Sequence, residues 1–206
     1  MRLKHSFNPK TITASLLFLL FSLPAHAETV QDYVARAEKA FEESDIVSTM
    51  AWYRKAAEAG YIPAQKRLAY LLDKSEQNEE AVEWYRKAAA QGDAEAEHGL
   101  ARMYVTGEGI TQDNKAALRL FTSSADKGYA PAIHVMAAAC EKGELGLRVD
   151  YECARAWLAK GVILSDYWSV NRLARAYANG ELGLRIDRQK AAQLEKQLTQ
   201  ISRDGN

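Results

Sequence analysis

No single sign of charge dominates this chain. Its 206 residues carry 27 lysines and arginines against 27 aspartates and glutamates, and nothing concentrates the basic ones into a polybasic face. A nucleic-acid partner is therefore not expected. Cysteine is almost missing too. The two present, Cys140 and Cys153, do not form a C-x-x-C pair, which weakens any redox-enzyme reading. Histidine is as sparse: beyond residue 27 only His98 and His134 remain, at one repeat position 36 residues apart. They lack an obvious third ligand, and structural zinc takes four, so no metal or cofactor is expected. No segment alternates apolar and polar residues as a strand does. No later stretch is apolar enough to span a membrane.

The one long apolar run lies at the start. Arg2, Lys4 and Lys10 come first, and Ile12 to Leu23 is apolar apart from Thr13, Ser15 and Ser22. Pro24-Ala25-His26-Ala27 supplies the small-x-small pattern that signal peptidase needs, so residues 1–27 read as a signal peptide cut before Glu28. About twelve apolar residues fall short of the roughly 20 of a membrane-spanning helix. No cysteine follows the cut to carry a lipid. The product is expected to be periplasmic, with secretion as the alternative. It would hold 24 basic against 27 acidic side chains, a net of −3.

Repetition fills the remainder. Trp52-Tyr53-Arg54-Lys55-Ala56-Ala57 returns as Trp84-Tyr85-Arg86-Lys87-Ala88-Ala89. Gly143-Glu144-Leu145-Gly146-Leu147-Arg148-Val149-Asp150 returns as Gly180-Glu181-Leu182-Gly183-Leu184-Arg185-Ile186-Asp187. Periods of this length signal a solenoid, whose units bury their apolar faces against one another. That favours a binding surface over a catalytic pocket. Helical periodicity runs almost throughout and gives an all-α α-solenoid of five antiparallel helix pairs over 28–203. The pairs fall at about 29–59, 60–91, 92–127, 128–164 and 165–203. Their helices fall at 29–43 and 45–59, 62–73 and 77–90, 93–106 and 113–127, 129–142 and 150–162, and 166–179 and 187–201. Gly60, Gly92 and Gly128 suit left-handed helix ends, and Ser165 in their place implies a less regular turn. Asp113, Asp150 and Asp187 suit helix N-caps. Small residues recur at Ala64, Ala96, Ala132 and Ser169, and again at Ala81, Ala117, Ala154 and Ala191. Large ones fill between them, including Trp84, Leu120, Trp157 and Leu194.

At these residues the chain resembles the Sel-1-like repeat family, relatives of the tetratricopeptide repeats. Ala96, Leu100, Tyr104, Gly107, Gly109, Ile110, Asp113, Ala117 and Leu120 follow the family pattern. Ala132, Met136, Gly143, Gly146, Leu147, Asp150, Ala154 and Trp157 follow it again. The likeness covers about 45–200. Ala101 and Ala137 replace the usual glycine, and the second pair turns through Asp73 to Asn78 without Gly-x-Gly. The resemblance implies a right-handed superhelix used as an adaptor, and for exported members a scaffold of an envelope assembly or a host-interaction factor.

Related arrays recognise partners on the concave side, along the first helix of each pair. That register points to Lys66, Tyr70, Asp73, His98, Arg102, His134, Glu141, Trp168, Asn171 and Arg175 as a strip for a protein or peptide segment. Trp168 stands where the other repeats have Pro131 and Glu95, so packing does not call for an indole there. Large aromatics and Arg dominate interface energies. The array is expected to be a monomer, although the outer side of its last helix could seed a dimer. Cys140 ends one helix and Cys153 begins its antiparallel partner. In an oxidising compartment the two are expected to pair and add roughly 2–3 kcal/mol. A hydrolase of the β-lactam-recognising type is a distant alternative. Ser124-Ala125-Asp126-Lys127 matches S-x-x-K and Ser169-Val170-Asn171 loosely matches S-x-N, but K-T-G is absent.

Overall fold

The computed structural model describes residues 28–204, so the expected signal peptide at 1–27 lies outside the described residues. Ten helices follow one another: α1 (Val30–Glu42), α2 (Ile46–Glu58), α3 (Ile62–Lys74), α4 (Asn78–Ala90), α5 (Ala94–Thr106), α6 (Asn114–Asp126), α7 (Ala130–Lys142), α8 (Tyr151–Ile163), α9 (Tyr167–Asn179) and α10 (Arg188–Asp204). They form an α-helical solenoid in which each helix packs on its neighbours in sequence, and α3 also touches α5. No described helix is long and apolar enough to cross a membrane.

Two kinds of turn set the path. One puts a single residue into the left-handed region, at Ser44, Gly60, Glu76, Gly92, Gly128 and Ser165. Its amide donates to the carbonyl three residues back and the next amide to the carbonyl five back, as Gly60 to Ala57 and Tyr61 to Ala56. This satisfies the last carbonyls of the helix. The Ser165 turn proves regular after all. Ser165 donates to Val162 and Asp166 to Gly161, and φ is 56°. The same bonds hold serine in the conformation glycine favours, at a cost of about 1 kcal/mol. The other turn is the long loop after α5, α7 and α9. It starts at left-handed Gly107, Gly143 or Gly180 and ends on an aspartate N-cap. Asp113 and Asp150 each accept two amides of the following helix, and Asp187 accepts that of Lys190.

The core is a chain of overlapping clusters rather than one centre. Its two small-residue columns, Ala64, Ala96, Ala132 and Ser169, and Ala81, Ala117, Ala154 and Ala191, are all at most 4% exposed. Tyr53, Tyr85, Phe121 and Leu158 share another buried column. Its fifth member, on α10, is the exposed Glu195. Even helices also carry a repeated tryptophan–lysine contact. Lys55, Lys87 and Lys160 lie 4.0, 3.8 and 5.2 Å from the ring centres of Trp52, Trp84 and Trp157. The cysteines are joined: a Cys140–Cys153 disulfide spans a Cα–Cα distance of 5.8 Å and ties the end of α7 to the start of α8.

Ser169 is the one polar member of its alanine column. Its hydroxyl is fully buried and has no hydrogen-bond partner. It faces Gly161, where an added Cβ would lie 2.5 Å from the Ser169 Cβ. Ser169→Ala should therefore stabilise the fold by about 1 kcal/mol, the cost of an unsatisfied buried hydroxyl. Gly161→Ala should destabilise it by about 1–3 kcal/mol through overpacking. Urea unfolding of both variants checks this, and a destabilising Ser169→Ala would contradict it.

Candidate partner-binding strip

The odd helices carry the strip, and most of its side chains reach across to the next repeat. Lys66 of α3 pairs with Glu95 at 2.6 Å and Asp93 at 3.4 Å, at the start of α5. His98 of α5 meets the ring of Tyr129 at the start of α7, and Phe121 of α6, each at 5.4 Å between centres. His134 of α7 lies 2.7 Å from the Asp166 carboxylate and 4.4 Å, between ring centres, from Trp168 at the start of α9. One position in three successive repeats thus performs one task by three chemistries: an ion pair, an edge-on aromatic contact, and a histidine between a carboxylate and an indole. The two histidines each meet the next repeat and not one another.

A second rung lies farther along the same helices. Asp73 is 3.7 Å from Arg102. Glu141 is 2.6 Å from Arg172, which also holds Glu181 at 2.7 Å. Arg172 is 11% exposed at its side chain, and sequence reasoning passed over it. The signal was available, because Arg172 occupies the position of Gly99 and Val135. Burial opposes the charge on Lys66, but Glu95 and Asp93 outweigh it and hold its pKa above the usual lysine value. Burial would likewise raise the Asp166 carboxyl. Hydrogen bonds from the Ser169 backbone amide and from His134 prevail and hold it below the usual carboxylate range.

Five strip residues keep more of their surface open. Tyr70 is 42% exposed, Trp168 is 40% exposed, Arg102 is exposed beside its contact with Asp73, and Asn171 and Arg175 face solvent on the same side of α9. Beside Trp168 an apolar tip runs through the α8–α9 turn, where Ile163 is 83%, Leu164 49% and Tyr167 51% exposed. At the Ile163 position the other repeats place Glu58, Ala90 and Asp126, and at the Leu164 position Ala59, Gln91 and Lys127. Three neighbouring positions, Ile163, Leu164 and Trp168, therefore carry large apolar side chains in this one repeat. Past Arg175 an open cavity of about 390 Å³ is lined by Glu141, Tyr151, Arg172 and the loop Gly180–Gly183.

Comparison with known proteins places this geometry in a family. The Sel1 repeat profile matches at residues 40–61, 62–93, 94–129, 130–165 and 169–194. The chain belongs to the Sel1 repeat family. Members are generally protein–protein interaction scaffolds. Among solved structures, it is similar to c5321 of Escherichia coli, described as a protective antigen present in uropathogenic strains and displaying an SLR fold. The identity is 29% and the TM-score 0.71, over 84% of this chain but only 38% of that one. A Sel1 repeat protein from Oxalobacter formigenes is 26% identical with a TM-score of 0.68, over 84% of this chain and 71% of that one. MamA protein shares the fold at 15% identity and a TM-score of 0.51, over 84% of this chain and 92% of that one. No curated protein matches the sequence.

In this Sel1 array the S-x-x-K residues serve packing. The buried Ser124 hydroxyl donates to the Ala94 carbonyl at 2.6 Å. Lys127 donates to the Gly92 carbonyl at 3.0 Å and to Glu97 at 2.7 Å. Together they staple α6 to the turn before α5.

His98 gives these joints a pH signature. Burial, reinforced by the charge of Arg102 and opposed by Glu95, holds its pKa down at about 4. The unfolded chain takes up that proton near pH 6.5. The stability contributed by the neutral ring is therefore complete above about pH 6.5 and is lost progressively as the pH falls toward 4. His98→Phe should flatten the stability–pH curve in that window, read as urea midpoints. An unchanged slope would contradict it.

Proposed function

We propose that this Sel1 repeat protein is an exported, non-catalytic scaffold. It holds a protein or peptide segment along the odd-helix strip, with its main contact at the start of α9, and supports an assembly of the cell envelope. One observation carries the reading. Trp168 is 40% exposed where the repeat places proline or glutamate, so its indole, packed on His134 on one side, keeps a large part of its surface open. A half-exposed aromatic in such a place has the character of an interface anchor. The burial of Ser124 and Ser169 supports binding over turnover, since neither hydroxyl faces solvent. Export rests on the basic and apolar pattern of residues 1–27.

A second reading has its own support. The relative described as a protective antigen of uropathogenic Escherichia coli favours a secreted or surface factor that engages a host protein. Cell fractionation separates the two: the scaffold is retained in the periplasm and the host factor is released into the culture fluid. The contact itself is tested by crosslinked capture from the periplasm with a tagged chain, beside a Trp168→Ala/Arg175→Ala double variant. A specific envelope protein lost with the double variant is the expected result. Equal capture by both would move the site off α9.

A further inference from the structure

The strip on α9 also defines what its partner looks like, and this step rests on the function proposed above. Trp168, Asn171 and Arg175 stand at i, i+3 and i+7, so they form one row on one face of the helix. The row spans about 10 Å at the helical rise of 1.5 Å per residue. One end is apolar, because Trp168 continues into Tyr167, Leu164 and Ile163. The other end is cationic and only partly engaged. Arg175 is 60% exposed at its side chain, and its Nε lies 3.5 Å from Glu181. Arg172 already holds that same carboxylate at 2.7 Å. Among the described residues no hydrogen bond engages the two terminal nitrogens of Arg175, which leaves the fork that a carboxylate takes in two parallel hydrogen bonds.

We propose that α9 binds an extended segment of a partner protein. An apolar side chain rests on Trp168 and the tip, and the carboxylate of an Asp or Glu meets Arg175. An extended segment of polyproline II form turns once every three residues and rises about 3.1 Å per residue, so side chains three positions apart share one face about 9 Å apart, and the acidic residue lies three positions from the apolar one. Asn171, between them, faces the segment's backbone and can both donate to it and accept from it. The acidic group is an internal side chain rather than a chain end. Beyond Arg175 the surface stays open into the cavity beside Glu181 and Tyr151, which leaves the segment room to continue.

The test selects from a library of random twelve-residue peptides displayed on phage, using the chain from residue 28 onward and its Trp168→Ala and Arg175→Glu variants. Circular dichroism checks that each variant is folded. Recovered peptides should carry an apolar residue and, three positions away, an Asp or Glu. They should lose affinity by about tenfold on Arg175→Glu, as expected for a charged hydrogen-bonded pair. Selection on Arg175→Glu should turn the preference to Lys or Arg at that position. Peptides lost with Trp168→Ala but indifferent to Arg175→Glu would keep the groove and overturn the acidic pairing. Recovery of no peptide, or of peptides insensitive to both changes, would overturn the groove and the pairing together.

Discussion

Close approach of helix backbones at small residues is the constraint on which the rest of this molecule depends. Each helix packs chiefly on its neighbours in sequence, so no central core exists to absorb a misplaced side chain. The columns at Ala64, Ala96, Ala132 and Ser169, and at Ala81, Ala117, Ala154 and Ala191, set the spacing. Once they fix it, the column of Tyr53, Tyr85, Phe121 and Leu158 has one place to go, which is the seam with the following repeat. On α10 the same position is held by the exposed Glu195.

The same spacing decides what the strip can do. Helices this close bring side chains of successive repeats into contact, and the strip uses its charges there. Lys66 with Glu95, Asp73 with Arg102, and Glu141 with Arg172 are joints between repeats before they are anything a partner could touch. Such exposed or half-exposed pairs add little stability each. They fix the angle between repeats more than they strengthen it. Under the proposed function a partner is left with two departures from the repeat, the indole of Trp168 and the apolar Ile163 and Leu164 beside it, and with Arg175, which stands where the third repeat has Arg102.

Much of the fold was legible in the sequence because repetition supplies its own alignment. Glycines at fixed offsets marked the turns and aspartates marked the caps. The helix limits fall within one residue of expectation from α1 to α9, while α10 runs on to Asp204, beyond its expected end at 201. Antiparallel geometry alone brought Cys140 to Cys153. The Ser165 turn was misread because serine looks unsuited to a left-handed position, and the pair of hydrogen bonds that holds it there does not show in one residue's identity. The strip was legible as a face but not as a set of contacts. Helical periodicity says which side Lys66, His98 and His134 are on. It does not say that each reaches the start of the next odd helix, since that depends on the distance between repeats. Arg172 was hidden for a related reason, because both of its carboxylates come from other elements.

The central claim is that departures from the repeat mark function while adherence to it marks packing. Two tryptophans test it within one chain. Trp84 follows the repeat and is 5% exposed; Trp168 departs from it and is 40% exposed. The measurement is the thermal midpoint of Trp84→Ala against Trp168→Ala, beside the unchanged chain. The account predicts that Trp84→Ala loses about 3–5 kcal/mol, as buried aromatic truncations do, and melts at least about 6 °C lower. Trp168→Ala should melt within about 2 °C of the unchanged chain. A Trp168→Ala variant that melts as early as Trp84→Ala would show the indole to be part of the packing and would contradict the account.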